Sequence, residues 1–259
     1  MFKPKTNKIE MLADCFTKRI KELEKLFSGT VNMYVDYANV RPWSAKLGWN
    51  VDPKRLKQFL DSFDNINEIK FYAGTLHGDG ESVKFIKKLQ KYKYEVRTKI
   101  VKIMNISIDA SSVQSQSTDL INRFIRPALV RKLDIETIEY LNNKFKEMNQ
   151  KGIYFIQDRK CNFDVEIGRD MEIDQIKNNI GTFVLWSGDS DFAEPIEKLL
   201  DNGKQVILFA TARRVALELN NLRAKGLYIF DIQKIRNFVC WRREIQKEIL
   251  SSINAKETL

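Results

Sequence analysis

Three carboxylates in this sequence directly follow apolar segments typical of buried β-strands. Asp36 follows the run VNMYV, and Asp189 and Asp191 follow TFVLW within the segment SGDSD. If the two strands are neighbours in a parallel sheet, these acids meet at one edge. Clustered carboxylates repel one another and are usually neutralised by a divalent cation. Oxygen-only ligands favour Mg²⁺ or Mn²⁺, which can activate water for phosphodiester hydrolysis.

Composition narrows the chemistry further. The chain has one histidine, His77, which excludes most mechanisms that use an imidazole base, including paired-histidine schemes. Its three cysteines are widely spaced, so neither a disulfide framework nor a zinc site is indicated. The formal charge of +10 favours a polyanionic partner. Any catalysis must therefore depend on carboxylates, acting on a substrate such as a nucleic acid.

The elements that must position these acids alternate regularly along the chain. Short β-branched and aromatic runs alternate with amphipathic helical patterns, which predicts an α/β fold with a mostly parallel central sheet and helices on both faces. Sites in such sheets form beyond the carboxyl ends of the strands, which points to residues 36–39 and 187–191. The predicted strands lie at residues 31–35, 69–73, 94–101, 182–186, 205–209 and 227–230.

Three segments fall outside this alternation. We expect a helical N-terminal extension over residues 1–29, a mainly helical insertion at about 105–150 and a C-terminal helix over 236–259, around a main domain at 30–235. The terminal helices could support a homo-oligomer. No apolar run is long enough to span a membrane, and the N-terminus lacks the apolar core of a signal peptide, so we expect a cytoplasmic protein without membrane contact.

Three segments resemble the ordered motifs of a known family. VNMYVDYANV, KCNFDVEIGRDM and VLWSGDSDFAEPIEKLLDNGKQVILF look like those of the NYN domain family, in the LabA-like or DUF88 branch of PIN-like nucleases. The resemblance implies a Rossmann-like PIN/NYN three-layer sandwich and a metal-dependent endoribonuclease, in which a metal-bound water attacks RNA. It implies that Mg²⁺ or Mn²⁺ is bound by four catalytic acids: Asp36, Asp164, Asp189 and Asp191.

The resemblance also implies supporting roles for Asn39, Ser187 and Asp170. On a helix that begins near Asp164, Asp170 lies six positions further on, about 240° around the axis at 100° per residue. Both side chains therefore cannot point squarely at one ion, and Asp164 is the stronger candidate ligand. Single-stranded or structured RNA is the expected partner, and its phosphates are expected to contact Lys84, Lys88, Arg213 and Arg214.

Other interpretations of the same residues stay open. Asp36, Asp189 and Asp191 are also typical of helix caps and Asx turns, and helical acids are commonly solvated. The chain could therefore be a catalytically weak RNA-binding or regulatory protein that retains the fold. A phosphotransfer enzyme is a third class, but the segment DYAN lacks the DxD arrangement of haloacid-dehalogenase phosphatases.

Overall fold

The computed structural model describes residues 1–211, 215–246 and 249. The chain divides into two compact units, of which the first comprises Met1–Ile100 with Cys161–Leu259 and the second comprises Val101–Lys160. The predicted boundaries at residues 30 and 235 are not tested by this division and stay a prediction.

The strands and helices alternate through the first unit and are interrupted by the second. The strands are β1 (Val31–Asp36), β2 (Ile66–Thr75), β3 (Glu95–Ile100), β4 (Lys102–Ser107), β5 (Phe155–Lys160), β6 (Thr182–Trp186), β7 (Gln205–Ala210) and β8 (Tyr228–Asp231). The helices are α1 (Asn7–Cys15), α2 (Thr17–Leu26), α3 (Tyr37–Val40), α4 (Ser44–Leu47), α5 (Pro53–Leu60), α6 (Gly80–Lys91), α7 (Pro127–Val130), α8 (Ile135–Gln150), α9 (Asp164–Ile176), α10 (Ala193–Asp201), α11 (Leu217–Asn221) and α12 (Arg236–Val239).

The central sheet of the first unit has six strands among the described residues, in the order β3-β2-β1-β6-β7-β8. Every neighbouring pair is parallel. The chain builds outwards from β1 to β3 on one side and from β6 to β8 on the other, so the strand order reverses between β1 and β6. Ligand sites of open α/β sheets form at such a reversal, beyond the carboxyl ends of the strands.

Apolar residues cover both faces of this sheet. Strand β1 is buried along its whole length, and Met33 and Val35 face one layer while Tyr34 faces the other. The first layer includes buried residues of α1, α2 and α5, and the second includes Ile167 and Ile196 of α9 and α10. The predicted fold class is therefore confirmed: the first unit is a Rossmann-type α/β sandwich with a parallel central sheet and helices on both faces.

The N-terminal segment does not form one continuous helix, and neither does the described part of the C-terminal segment. The N-terminal pattern forms two helices, because the chain leaves helical geometry at Phe16 between α1 and α2. Their apolar residues, including Leu12 and Leu23, are buried in the core of the unit, so this face is already covered. After α12, a 3₁₀ turn forms at Arg242–Glu244, and most of the remaining predicted helix lies outside the described residues.

The second unit combines an antiparallel two-stranded ribbon, β4 with β5, and a small helical cluster. The sequence predicts a helix over residues 120–130, but a 3₁₀ turn at Ile121–Arg123 precedes the short α7. Pro127 is the first residue of α7, and a proline disfavours helical geometry in the residue before it. The ribbon itself was not predicted. Asn149 ties its end to α8, accepting from the Ala110 N–H at 2.7 Å and donating to the Ile108 carbonyl at 3.1 Å.

Among the described residues, we find no helix with the length and apolar composition needed to cross a membrane.

Candidate metal centre at the carboxyl end of the sheet

The end of β1 places Asp36 inside the first unit, with only 3% of its surface exposed. Asp36 is the N-cap of α3, and its Oδ1 accepts a hydrogen bond from the backbone N–H of Asn39 at 3.3 Å. An N-cap acid satisfies a backbone donor that the first helical turn leaves unpaired. Asp36 therefore acts as a helix cap, as one interpretation of the sequence predicted. The hydrogen bond from Asn39 also fixes the direction in which the second carboxylate oxygen points.

The loop after β6 is joined to the loop after β1 by two side-chain hydrogen bonds. The Ser187 hydroxyl donates to Asp36 Oδ2 at 3.1 Å, and the Gly188 N–H donates to Asn39 Oδ1 at 3.2 Å. The Ser187 Oγ in turn accepts from the Asp189 N–H at 3.3 Å. Asn39 and Ser187 therefore hold the two loops together at the point where the strand order reverses.

Three of the four predicted metal ligands converge. Asp189 is the N-cap of the 3₁₀ turn Ser190–Phe192 and accepts the Asp191 N–H at 3.3 Å, while Asp164 is the first residue of α9. One carboxylate oxygen from each of these three acids lies within 4.8 Å of the others. Among the described residues, Asp36 is not a member of this set, although the charges of Asp164 and Asp189 act on it, and its role as a fourth ligand stays a prediction. We call Asp164, Asp189 and Asp191 the acid cluster.

Helix α9 is held on the sheet by acids that recur every fourth residue. Glu166 pairs with Lys99 of β3 at 2.8 Å, and Asp170 accepts from the Tyr72 hydroxyl at 2.7 Å and from Arg97 at 3.3 Å. Positions four apart share one face of a helix, so these contacts orient α9 as a rigid body. Asp170 consequently lies outside the acid cluster, and its contacts help to place Asp164 at the edge of the sheet.

The third acid on this face of α9, Asp174, is completely buried. Its Oδ2 accepts hydrogen bonds from Asn32 at 2.8 Å, from Lys70 at 2.8 Å and from the Tyr34 hydroxyl, and its Oδ1 accepts from Asn178 at 2.8 Å. Burial alone would raise the pKa of Asp174, but the bonds from Lys70, Tyr34 and Asn32 outweigh it and lower that pKa. A buried charge is tolerated when it is paired and fully hydrogen-bonded in this way.

The electrostatics of the site favour a cation. Burial, and to a smaller extent the charges of Asp164 and Asp189, raise the pKa of Asp36 to about 6, against the opposing hydrogen bonds from Asn39 and Ser187. Burial also raises the pKa of Asp164, with Asp189 and Asp191 adding to the shift. Asp36 and Asp164 are thus harder to ionise mainly because they are buried and in part because their neighbours are negative, and a bound cation would relieve that repulsion.

The donor set fits a hard divalent ion. All three members of the acid cluster offer carboxylate oxygens, no histidine or thiol is among them, and their spacing of 4.8 Å or less is compatible with one shared ion. Mg²⁺ and Mn²⁺ prefer such ligands and commonly retain waters beside one or two carboxylates. Asp191 is exposed and Asp164 and Asp189 are half-buried, so the site is open to a substrate from solvent.

Two of the four predicted substrate-binding residues, Lys84 and Lys88, are among the described residues. Lys84 and Lys88 are exposed on α6, and Lys84 forms an ion pair with Glu81 at 2.8 Å. Arg213 and Arg214 lie outside the described residues.

Sequence reasoning missed two neighbours of the acid cluster. Lys99 and the side chain of Asn162 both lower the pKa of Asp164, so a cation and a hydrogen-bond donor lie beside this acid. Lys99 also lies over the Phe163 ring, 4.8 Å from its centroid. The four-residue recurrence of Glu166, Asp170 and Asp174 was the available signal, because it predicts an acidic helix face that needs cationic partners.

Comparison with known proteins identifies one family. Residues 104–231 match the model of the NYN domain, a span that contains the acid cluster and leaves Asp36 outside it. No curated protein matches the chain. A crystal structure of a protein of unknown function from Vibrio parahaemolyticus RIMD 2210633 is similar at 16% identity, with a TM-score of 0.48, covering 82% of this chain and 96% of that one. On this match, residues 104–231 of the chain are identified as an NYN domain.

Proposed function

We propose that this protein is a metal-dependent ribonuclease that hydrolyses RNA phosphodiester bonds within the strand. The observation that carries the proposal is the convergence of Asp164, Asp189 and Asp191 to within 4.8 Å, in a chain with an NYN domain. The proposal includes membership of the LabA-like or DUF88 branch and an NYN domain that extends from residue 30 to residue 235. RNA is the proposed substrate because NYN nucleases act on RNA and because the chain carries a charge of +10.

The acid cluster would hold Mg²⁺ or Mn²⁺. When bound, such an ion activates water and neutralises the charge that develops on the phosphate during hydrolysis. Asp164, Asp189 and Asp191 would supply its protein ligands. Asp36 has a different task in this scheme: its carboxylate, fixed by Ser187 and Asn39, keeps the two loops joined and adds negative potential beside the cluster. Its pKa of about 6 also lets it exchange a proton near neutral pH.

Basic residues complete the proposed site. Lys99 pairs at 2.8 Å with Glu166, two residues from Asp164, and is proposed to help hold a substrate phosphate beside the acids. Lys84, Lys88, Arg213 and Arg214 are proposed to contact the RNA backbone further away. No nucleophilic side chain is required, which agrees with the single histidine of the sequence.

The test follows cleavage of end-labelled single-stranded RNA, hairpin RNA and DNA with Mn²⁺, Mg²⁺ or EDTA. The wild type should cut RNA internally only with a metal, and Asp189→Asn should lower the rate by at least roughly 100-fold, as expected when a metal ligand is lost. The matched control is Asp201→Asn. Asp201 is an exposed acid at the C-terminal end of α10, roughly 13 Å along the helix axis from the end that follows Asp191. This variant should cut like the wild type.

A second measurement separates binding from turnover. Calorimetric titration with Mn²⁺ should detect binding to the wild type and to Asp201→Asn, and at least roughly tenfold weaker binding to Asp189→Asn. Metal binding without cleavage of any RNA would reject the nuclease and favour the RNA-binding or regulatory protein. Metal-dependent cleavage that survives Asp189→Asn would reject the assignment of the acid cluster as the active site.

A further inference from the structure

One face of the β4–β5 ribbon combines residues that together suit a nucleic acid. In the antiparallel register, Ile103 lies opposite Arg159, Asn105 opposite Gln157 and Ser107 opposite Phe155. Residues directly opposite each other project to the same side of a ribbon, and every second residue shares that side. We call this side the ribbon face; it is formed by Ile103, Asn105, Ser107, Phe155, Gln157 and Arg159.

The ribbon face is open, whereas the other side is partly covered. Phe155 is 57% exposed and Ile103 is 48% exposed, and Asn105, Gln157 and Arg159 are also exposed. On the other side, Met104, Ile106 and Asp158 are half-buried. Phe155 therefore presents more than half of its surface to solvent on this open face, where its ring is accessible to a ligand.

Charge on the ribbon face has one sign. Arg159 is its ionisable residue, and no acid lies on this face; the nearest one on the strands, Asp158, projects to the opposite side. Arg123 adds a second guanidinium at the Phe155 end, where it donates to the backbone carbonyl of Ser107 at 3.1 Å and remains exposed. Two guanidinium groups without a neighbouring carboxylate on this face are complementary to phosphate.

We propose that the ribbon face binds single-stranded RNA, with a base stacked on Phe155 and phosphates held by Arg159 and Arg123. Aromatic rings bind unpaired bases by stacking, and the amides of Asn105 and Gln157 can donate to and accept from base edges. The choice of RNA rests on the proposed function. A protein partner fits less well, because the amides of Asn105 and Gln157 separate Ile103 from Phe155 on the ribbon face.

A duplex is a poorer ligand for this surface than an unpaired strand. The bases of a duplex are already stacked on their neighbours, so they offer Phe155 no free face. Guanidinium groups alone would bind duplex and single strand with little distinction, because phosphates are common to both. Preference for the single strand is therefore the property that depends on Phe155.

The test measures binding rather than cleavage. Fluorescence anisotropy of a labelled, unstructured 12-nucleotide RNA is recorded with the full chain in EDTA, so that metal-dependent cleavage does not contribute. Phe155→Leu retains apolar volume but removes the ring, and should weaken binding by about 5-fold to 100-fold. Arg159→Gln should weaken binding and reduce the slope of log Kd against log salt by about one. Binding of an RNA duplex should not change in Phe155→Leu.

Matched controls come from the same unit. Tyr140→Leu removes an aromatic ring that is 60% exposed on α8, and Arg131→Gln removes an exposed cation beyond α7. Both should bind the RNA like the wild type, and thermal unfolding should show that all four variants are folded. Equal affinities for Phe155→Leu and Tyr140→Leu would overturn the proposal, as would equal losses on single strand and duplex. Because the binding assay uses neither metal nor cleavage, its result can be judged separately from that of the nuclease assay.

Discussion

Replacing Asp36 by asparagine should stabilise the metal-free protein at neutral pH. Asparagine is nearly the same size; its Oδ1 can accept the Asn39 N–H, and its amide can donate to the Ser187 Oγ, which reverses the direction of that hydrogen bond. The largest change is therefore the loss of the charge. The pKa of Asp36 is raised from its ordinary value of 3.8 to about 6, a difference that corresponds to roughly 3 kcal/mol. The side chain is 3% exposed, so solvent screens this penalty little.

The pH dependence follows from proton uptake. Between about pH 4 and pH 6 the folded state binds the Asp36 proton more tightly than the unfolded chain does, so stability falls as pH rises through this window. Asp36→Asn has no ionisable group at this position, so its free energy of unfolding does not fall for this reason in this pH window. For a chain of this size, roughly 3 kcal/mol is worth about 6–12 °C in Tm. We expect this gain over the wild type at pH 7.5 in EDTA and almost none at pH 4.

The assay is thermal unfolding followed by circular dichroism across this pH range, with Asp201→Asn as the exposed control, whose difference from the wild type should stay flat. Saturating Mn²⁺ should narrow the gap at pH 7.5, because a cation beside the acids offsets the charge penalty. A gain that is the same at pH 4 and pH 7.5, or an Asp36→Asn protein that is less stable at pH 7.5, would refute the reasoning.

Three further outcomes are expected. Asp174→Asn should destabilise the protein by about 3 kcal/mol in urea unfolding, because it leaves the buried Lys70 only the more distant and partly exposed Glu68, at 3.4 Å, as a counter-charge; a loss below about 1 kcal/mol would show that the pair with Asp174 is unimportant. Asn39→Ala should remove the acceptor of a loop N–H, costing about 1–3 kcal/mol and slowing cleavage, and unchanged kinetics would contradict its positioning role. Lys84→Gln and Lys88→Gln should each reduce the salt slope of RNA binding by about one, whereas unchanged slopes would exclude phosphate contacts on α6.

Local patterns were sufficient for the parts of the fold that are decided by nearby residues. Continuous apolar runs predicted β1, β6 and β7 because a strand buried on both faces needs apolar side chains at successive positions. The acids that follow β1 and β6 were predicted directly from these runs. The ribbon escaped prediction because β4 and β5 are exposed strands with little periodic burial, and their partner lies some fifty residues away along the chain.

The sequence by itself determined that Asp36 and the pair Asp189 and Asp191 follow buried strands. Whether a strand is buried depends on the side chains of successive residues, which a local pattern shows. Only the tertiary structure decided that β1 lies beside β6, that Asp164 joins the pair, and that Ser187 donates a hydrogen bond to Asp36. Strand neighbours and the docking of α9 depend on contacts between residues far apart in the chain, such as Asp174 with Lys70. Those contacts are selected by packing and charge pairing of the whole domain, which no local pattern records.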